Sequence, residues 1–168
     1  MKTRQELFDK LQTIGIGYEL FTHEPLFTCE QASKVQLPGA QCKSLFLKDN
    51  KKQLWLIVAC ASTTINLKQL SKTLQAPGLR FADANLLMQN LGVLPGSVTP
   101  FGIINDANHM VKVIFDNNLF AHAQAGFHPL SNDATLIINP HDLYKFAQEC
   151  GNEHKTVDLS LDEFGSNQ

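Results

Sequence analysis

A chain of 168 residues, 43% of them hydrophobic and 18% charged, can bury a core without disulfide or metal staples, which excludes a disordered or low-complexity protein. The net charge of −2 excludes a uniformly basic protein, but it hides a segregation. Lys34, Lys43, Lys48, Lys51, Lys52, Lys68, Lys72 and Arg80 are opposed between residues 31 and 80 only by Asp49, so that stretch carries +7 and the remainder −9. Gathered on one side, these cations would hold a phosphate backbone; dispersed, they would only solvate the surface.

Residues 3–14 read as a first helix, with Thr3 and Glu6 as a capping box, Leu7, Phe8, Leu11 and Ile14 on one face, and Gly15 and Gly17 as the stop. Residues 18–22 read as a short strand. After the loop at residues 23–27, Thr28 and Gln31 repeat the capping-box pattern for a second helix, and Pro38 and Gly39 end that region. Residues 42–48 alternate, with Leu45 and Leu47 on one face and Ser44, Phe46 and Lys48 on the other. Residues 49–52 turn that strand into residues 53–61, whose nearly continuous apolar run predicts a central strand covered on both faces.

Asn66 is placed to cap a helix over residues 67–74, with Leu67, Leu70 and Leu74 inward and Lys68 and Lys72 outward. A brief strand is expected at residues 79–81 and a helix at residues 82–91, with Gly92 just past its end. Residues 103–104, 111–115 and 119–123 read as strands of an antiparallel meander. A loop follows at residues 125–132, then a strand at residues 135–138 and a last helix from Asn139 and Pro140 through Cys150. These elements predict one α+β domain over the whole chain, with helices flanking a mixed, mostly antiparallel sheet or partly open barrel. Residues 160–168 are polar and aperiodic, and a loose tail is expected there.

Cys29, Cys42, Cys60 and Cys150 show no paired spacing, and none of the six histidines pairs closely with another or with a cysteine. Reduced thiols are therefore expected, with no metal. The sequence has no apolar run of membrane-spanning length and no apolar amino-terminal signal region, so a cytoplasmic location is expected.

Residues 92–106 depart most from an ordinary globular sequence, packing three glycines, two prolines and the hydroxyls of Ser97 and Thr99 into a short span. Glycine permits positive φ and close approach while proline fixes φ, so the segment reads either as a ligand cradle or as a tight connection. It lacks the lysine and preceding strand of a phosphate-binding loop, and no Gly-x-Ser-x-Gly nucleophile elbow occurs anywhere. Lys43 opens a strand among apolar neighbours, where a long cation snorkels or meets an anion. His128, before Pro129, either fixes its loop or acts on a ligand, and Asn132 reads as a turn former.

Three stretches together resemble the signatures of the YbaK-like aminoacyl-tRNA editing family: residues 43–49 (KSLFLKD), residues 92–102 (GVLPGSVTPFG) and residues 127–132 (FHPLSN). The resemblance runs from about residue 3 to residue 159 and is closest to the free-standing ProXp-ala branch, which is similar to the editing insertion of bacterial prolyl-tRNA synthetase. It implies hydrolysis, in trans, of the ester in mischarged alanyl-tRNA(Pro), with no cofactor. It implies as partners the acceptor stem and 3′ end of that tRNA and, transiently, prolyl-tRNA synthetase, with no membrane or DNA partner.

Carried over residue by residue, Lys43 would hold the terminal phosphate or ribose, and the loop from Gly96 through Ser97, Thr99 and Phe101 to Gly102 would line the ester. His128 would border the amino-acid pocket. Thr28 is placed near the adenosine, and Tyr18, Cys29 and Phe127 are pocket-wall candidates. Lys48 would support the same strand or touch the acceptor stem, where Ser44, Lys68, Lys72 and Arg80 also fall. The alternatives are a cysteinyl-tRNA(Pro) or seryl-tRNA deacylase of the same fold, or a tRNA-end or nucleotide-binding module without catalysis.

Overall fold

The computed structural model describes residues 1–27, 30–31 and 34–160. The capping box begun at Thr28, the positions of Thr28 and Cys29, and residues 161–168 of the expected tail lie outside them.

Helix α1 (Arg4–Thr13) begins as its capping pattern predicts, the Thr3 side chain accepting from the Glu6 amide, and buries Leu7 and Leu11. Among the described residues the strands are β1 (Glu19–Thr22), β2 (Ala40–Lys48), β3 (Leu54–Cys60), β4 (Arg80–Phe81), β5 (Val111–Asp116), β6 (Ala125–Phe127), β7 (Ala134–Ile138) and β8 (His154–Val157). They form a mixed sheet in the order β1-β7-β6-β2-β3-β5-β8, with β4 added to β2. Four pairings are antiparallel and three (β2 with β6, β3 with β5, β5 with β8) are parallel. The sheet is not closed into a barrel.

The nine-residue β2 joins the two halves of the sheet. Its first residues, Ala40 and Gln41, run parallel to Ala125 and Gly126 of β6, while Cys42 to Lys48 pair antiparallel with β3. The expected hairpin is present, and Asp49 stabilises its turn by accepting from the Lys51 and Gln53 amides and from the Trp55 indole N–H. All seven residues of β3 are buried, in keeping with their continuous apolar run.

Alternation along β2 divides the interior as the sequence predicts. Leu47 joins Ile57 and Trp55 in a core under α2 (Leu67–Leu74), with Leu45 packed against it. Phe46 joins a larger core with α1, α3 (Ala84–Leu91) and α4 (Asp142–Cys150). Asn66 and Asp83 cap α2 and α3 through their side chains, and Gly92 closes α3 at φ 65°.

Two expected strands are 3₁₀ turns instead. Pro100–Asn105 winds because Pro100 supplies a preset φ at its start and the Thr99 hydroxyl accepts from the Phe101 amide. Asn117–Ala121 winds behind the Asp116 side chain, which accepts from the Asn118 amide. The expected meander is therefore absent: β5 lies between β3 and β8, parallel to both. Strand β8 has no counterpart among the sequence-predicted elements, because its half-exposed residues His154 to Val157 carry no apolar run to announce it. Among the described residues, no helix is long and apolar enough to cross a membrane.

Candidate active site

Where β2 changes partners, the sheet leaves an open cavity of about 500 Å³, within the range of small-ligand sites. Its floor is residues 39–44 of β2 and its approach, one side is Gly126, Phe127, His128, Thr135 and Ile137, and the rim carries Leu26, Phe27, Gly96 and Val98. Parts of all three sequence signatures converge here: Lys43 and Ser44 from the first, Gly96 and Val98 from the second, Phe127 and His128 from the third.

Lys43 is half-buried at the wall, and its ammonium donates to the Thr63 carbonyl oxygen. The Thr63 hydroxyl in turn donates to buried Asp116, 2.9 Å away. The lysine is thus a fixed cation with donors to spare.

His128 donates from Nδ1 to the Ala134 carbonyl oxygen at 2.9 Å. Burial pushes its pKa below the usual value, the Ala134 bond and Asp133 opposing that and the nearby His23 ring adding to it. At neutral pH the ring is therefore uncharged and Nε2 carries a lone pair.

The loop after His128 is held from two directions. Leu26 and Asn132 exchange two hydrogen bonds, Leu26 N–H to the Asn132 carbonyl at 3.0 Å and Asn132 Nδ2 to the Leu26 carbonyl at 2.9 Å. From α1, Arg4 donates to the Pro129 carbonyl, the Ser131 hydroxyl and the Asp133 carboxylate. These anchors hold Leu130 at φ 73°, a left-handed conformation that is unfavourable for a branched side chain. Asn132 is thus a cross-link between two loops, beyond the turn former that its sequence suggests.

The segment at residues 92–106 divides between two roles. Gly96, at φ 90°, reaches the rim, where the Phe27 ring lies 3.4 Å from the position of a glycine Cβ. The rest turns inward: Ser97, Thr99 and Phe101 are buried and do not line the cavity, and Phe101 packs edge-to-face on Phe127 and Phe146. Gly102, expected to line the ester, is buried and does not line the cavity. A Cβ there would stand 2.9 Å from that of Leu91, so its glycine lets the 3₁₀ turn pack against α3.

Tyr18 also stands apart from the cavity, its ring stacked on Phe8 with centroids 5.3 Å apart. Lys48 faces Arg80 across β2 and β4, Arg80 binds the Asn50 side chain and the Gly78 carbonyl, and Lys68 and Lys72 are exposed on α2; none lines the cavity.

Several residues at the site were not singled out from the sequence, among them His23, Arg4, Gly126 and Thr135. A glycine inside a strand is a signal of close approach, and Gly126 fits it, since a Cβ there would lie 2.9 Å from Thr135 Cγ2. His23 and Arg4 gave no such signal, because their partners are about 110 to 130 positions away.

Residues 23–146 match the aminoacyl-tRNA editing domain family. The chain belongs to that family. It is 35% identical to the prolyl-tRNA editing protein ProX of Acetoanaerobium sticklandii, over 95% of this chain and 99% of that one. It is also 35% identical to prolyl-tRNA synthetase associated domain-containing protein 1 of Danio rerio, over 95% and 88% of the two chains. Among solved structures, one provisionally described as a trans-editing enzyme for prolyl tRNA synthetase superposes with a TM-score of 0.72 at 19% identity, covering 95% of this chain and 98% of that one. At that identity the likeness concerns the fold. The editing-family match takes in Lys43, Gly96, His128 and Thr135 of the cavity wall and His23 bonded to Thr135, whereas α1 with its Arg4 clamp precedes the matched residues.

Proposed function

We propose that this protein is a trans-acting deacylase that hydrolyses the ester of mischarged alanyl-tRNA(Pro), releasing alanine and a tRNA with a free terminal hydroxyl. The observation that carries the reading is the convergence of the three signatures on one cavity, with a cation at Lys43 and a neutral acceptor at His128. The names of the relatives, which concern prolyl-tRNA editing, support it.

An aminoacyl ester is already activated, so holding it beside a water molecule supplies much of the rate. Water forms the new C–O bond to the carbonyl carbon, the bond to the ribose oxygen breaks, and that oxygen takes up a proton. Lys43 suits the phosphate or ribose of the terminal nucleotide, and its charge favours the developing oxyanion if the ester lies close. A pocket fitted to alanine can refuse proline by size but not glycine or serine, so part of the discrimination falls to the tRNA.

The test is incubation of the purified protein with alanyl-, cysteinyl-, seryl- and prolyl-tRNA(Pro). Selective loss of the alanyl ester is the expected result. Faster loss of the cysteinyl or seryl ester would reassign the substrate, and indifference to all four would overturn the enzyme.

A further inference from the structure

One wall of the cavity has a fixed hydrogen-bond polarity. His23 Nδ1 lies 2.8 Å from the Glu24 carbonyl oxygen, which can only accept, so Nδ1 carries the hydrogen. An imidazole with its one hydrogen on Nδ1 presents a lone pair at Nε2, which here lies 2.8 Å from Thr135 Oγ1. The Thr135 hydroxyl therefore donates to His23. Its proton is committed, so Oγ1 of this cavity-lining residue keeps only lone pairs for a further partner.

Packing fixes the same orientation. Thr135 is buried, and its methyl lies against Gly126, where a Cβ would come within 2.9 Å of it. A β-branched side chain has few rotamers; with the methyl against Gly126, the hydroxyl stays on the His23 side. His128 follows the same logic, since Nδ1 donates to Ala134. Phe127 pairs with Leu136, so His128 and Thr135 flank that pair at one end of the ladder. Two groups restricted to accepting thus stand side by side, and no carboxylate is among the described residues lining the cavity.

We infer that Thr135 Oγ1, oriented by His23, accepts a hydrogen bond from the α-ammonium group of the esterified amino acid. Thr135 is then a substrate-binding residue and His23 a positioning residue that acts through it. The inference rests on the aminoacyl-ester reading of the cavity and adds the feature by which the acyl group is recognised.

The experiment compares the alanyl ester with the propionyl ester of the same tRNA, in which hydrogen replaces the ammonium group, so that the ratio of the two kcat/KM values isolates this contact. Thr135→Val is expected to lower the alanyl-to-propionyl ratio at least about tenfold, the scale of a hydrogen bond to a charged group. Thr135→Ser should largely restore it, and His23→Phe should lower it while leaving Thr135 in place. Thermal denaturation of each variant checks the fold.

An unchanged ratio in Thr135→Val, with the alanyl ester still cleaved, overturns the inference and leaves the deacylase intact. A wild-type protein inert toward every aminoacyl ester overturns the deacylase and the ammonium with it. Independently of any substrate, ¹H–¹⁵N long-range correlation spectra should find the His23 hydrogen on Nδ1; a hydrogen on Nε2 of the neutral ring overturns the relay.

Discussion

His128 takes its protonation state from what surrounds it. Because burial lowers its pKa, the native ring is protonated only at a pH below that of the unfolded chain. Stability from the neutral ring is thus complete above the ordinary value of 6.5 and is lost as pH falls through the window beneath it. The groups that face the ring are His23 and Asp133. Deacylation is expected to stay level from neutral pH down to 6.5 and to fall only below it, as a pH–rate profile of the wild type against His128→Asn would reveal.

Lys43 and Gly102 separate contact from packing. Lys43→Ala removes a cation from the cavity wall at a stability cost of about 1 kcal/mol, the loss of its bond to Thr63. Its kcat/KM should fall by about tenfold or more. Gly102→Ala should do the reverse, since its new Cβ meets Leu91 in the core. About 1–3 kcal/mol of overpacking is expected, seen as a lower Tm with activity per folded molecule retained.

Among the elements, α1 and β2 position the site. Strand β2 places Lys43 and Ser44 at the cavity because its first two residues leave β3 for β6. Helix α1 acts at a distance through Arg4, whose side chain is 31% exposed and reaches three groups of the loop after His128. Arg4→Met keeps the stem and removes the donors. It should cost about 1 kcal/mol, because the ion pair is partly solvated, and it should speed amide hydrogen exchange at residues 129–133 more than elsewhere.

At the scale of the molecule, the positive stretch resolves into Lys48 beside Arg80, Lys51 and Lys52 in the adjoining hairpin turn, and Lys68 and Lys72 on α2. As an acceptor-stem surface, this group would release counterions on binding. For two phosphate contacts, raising salt from about 50 to 200 mM should weaken tRNA binding roughly tenfold. Substituting Lys68 and Lys72 together should flatten that dependence in a binding titration.

The sequence by itself determined the amino-terminal caps of α1 and α2, the Gly92 stop of α3, the hairpin of β2 and β3, and the two-sided burial of β3, because each is written in residues only a few positions apart. Its three signatures also named the family and three segments of the site. Only the tertiary structure decided that residues 103–104 and 119–121 wind as 3₁₀ turns, that β8 pairs with β5, and that Phe101 and Gly102 belong to the core while Gly96 reaches the rim. Distant partners settle the pairing of β8 with β5 and the packing of Phe101 on Phe127 and Phe146, whereas the two turns follow from bonds two residues apart that the apolar pattern masks. Distance along the chain also hid His23, Thr135 and Arg4: each acquires its role from a residue more than a hundred positions away.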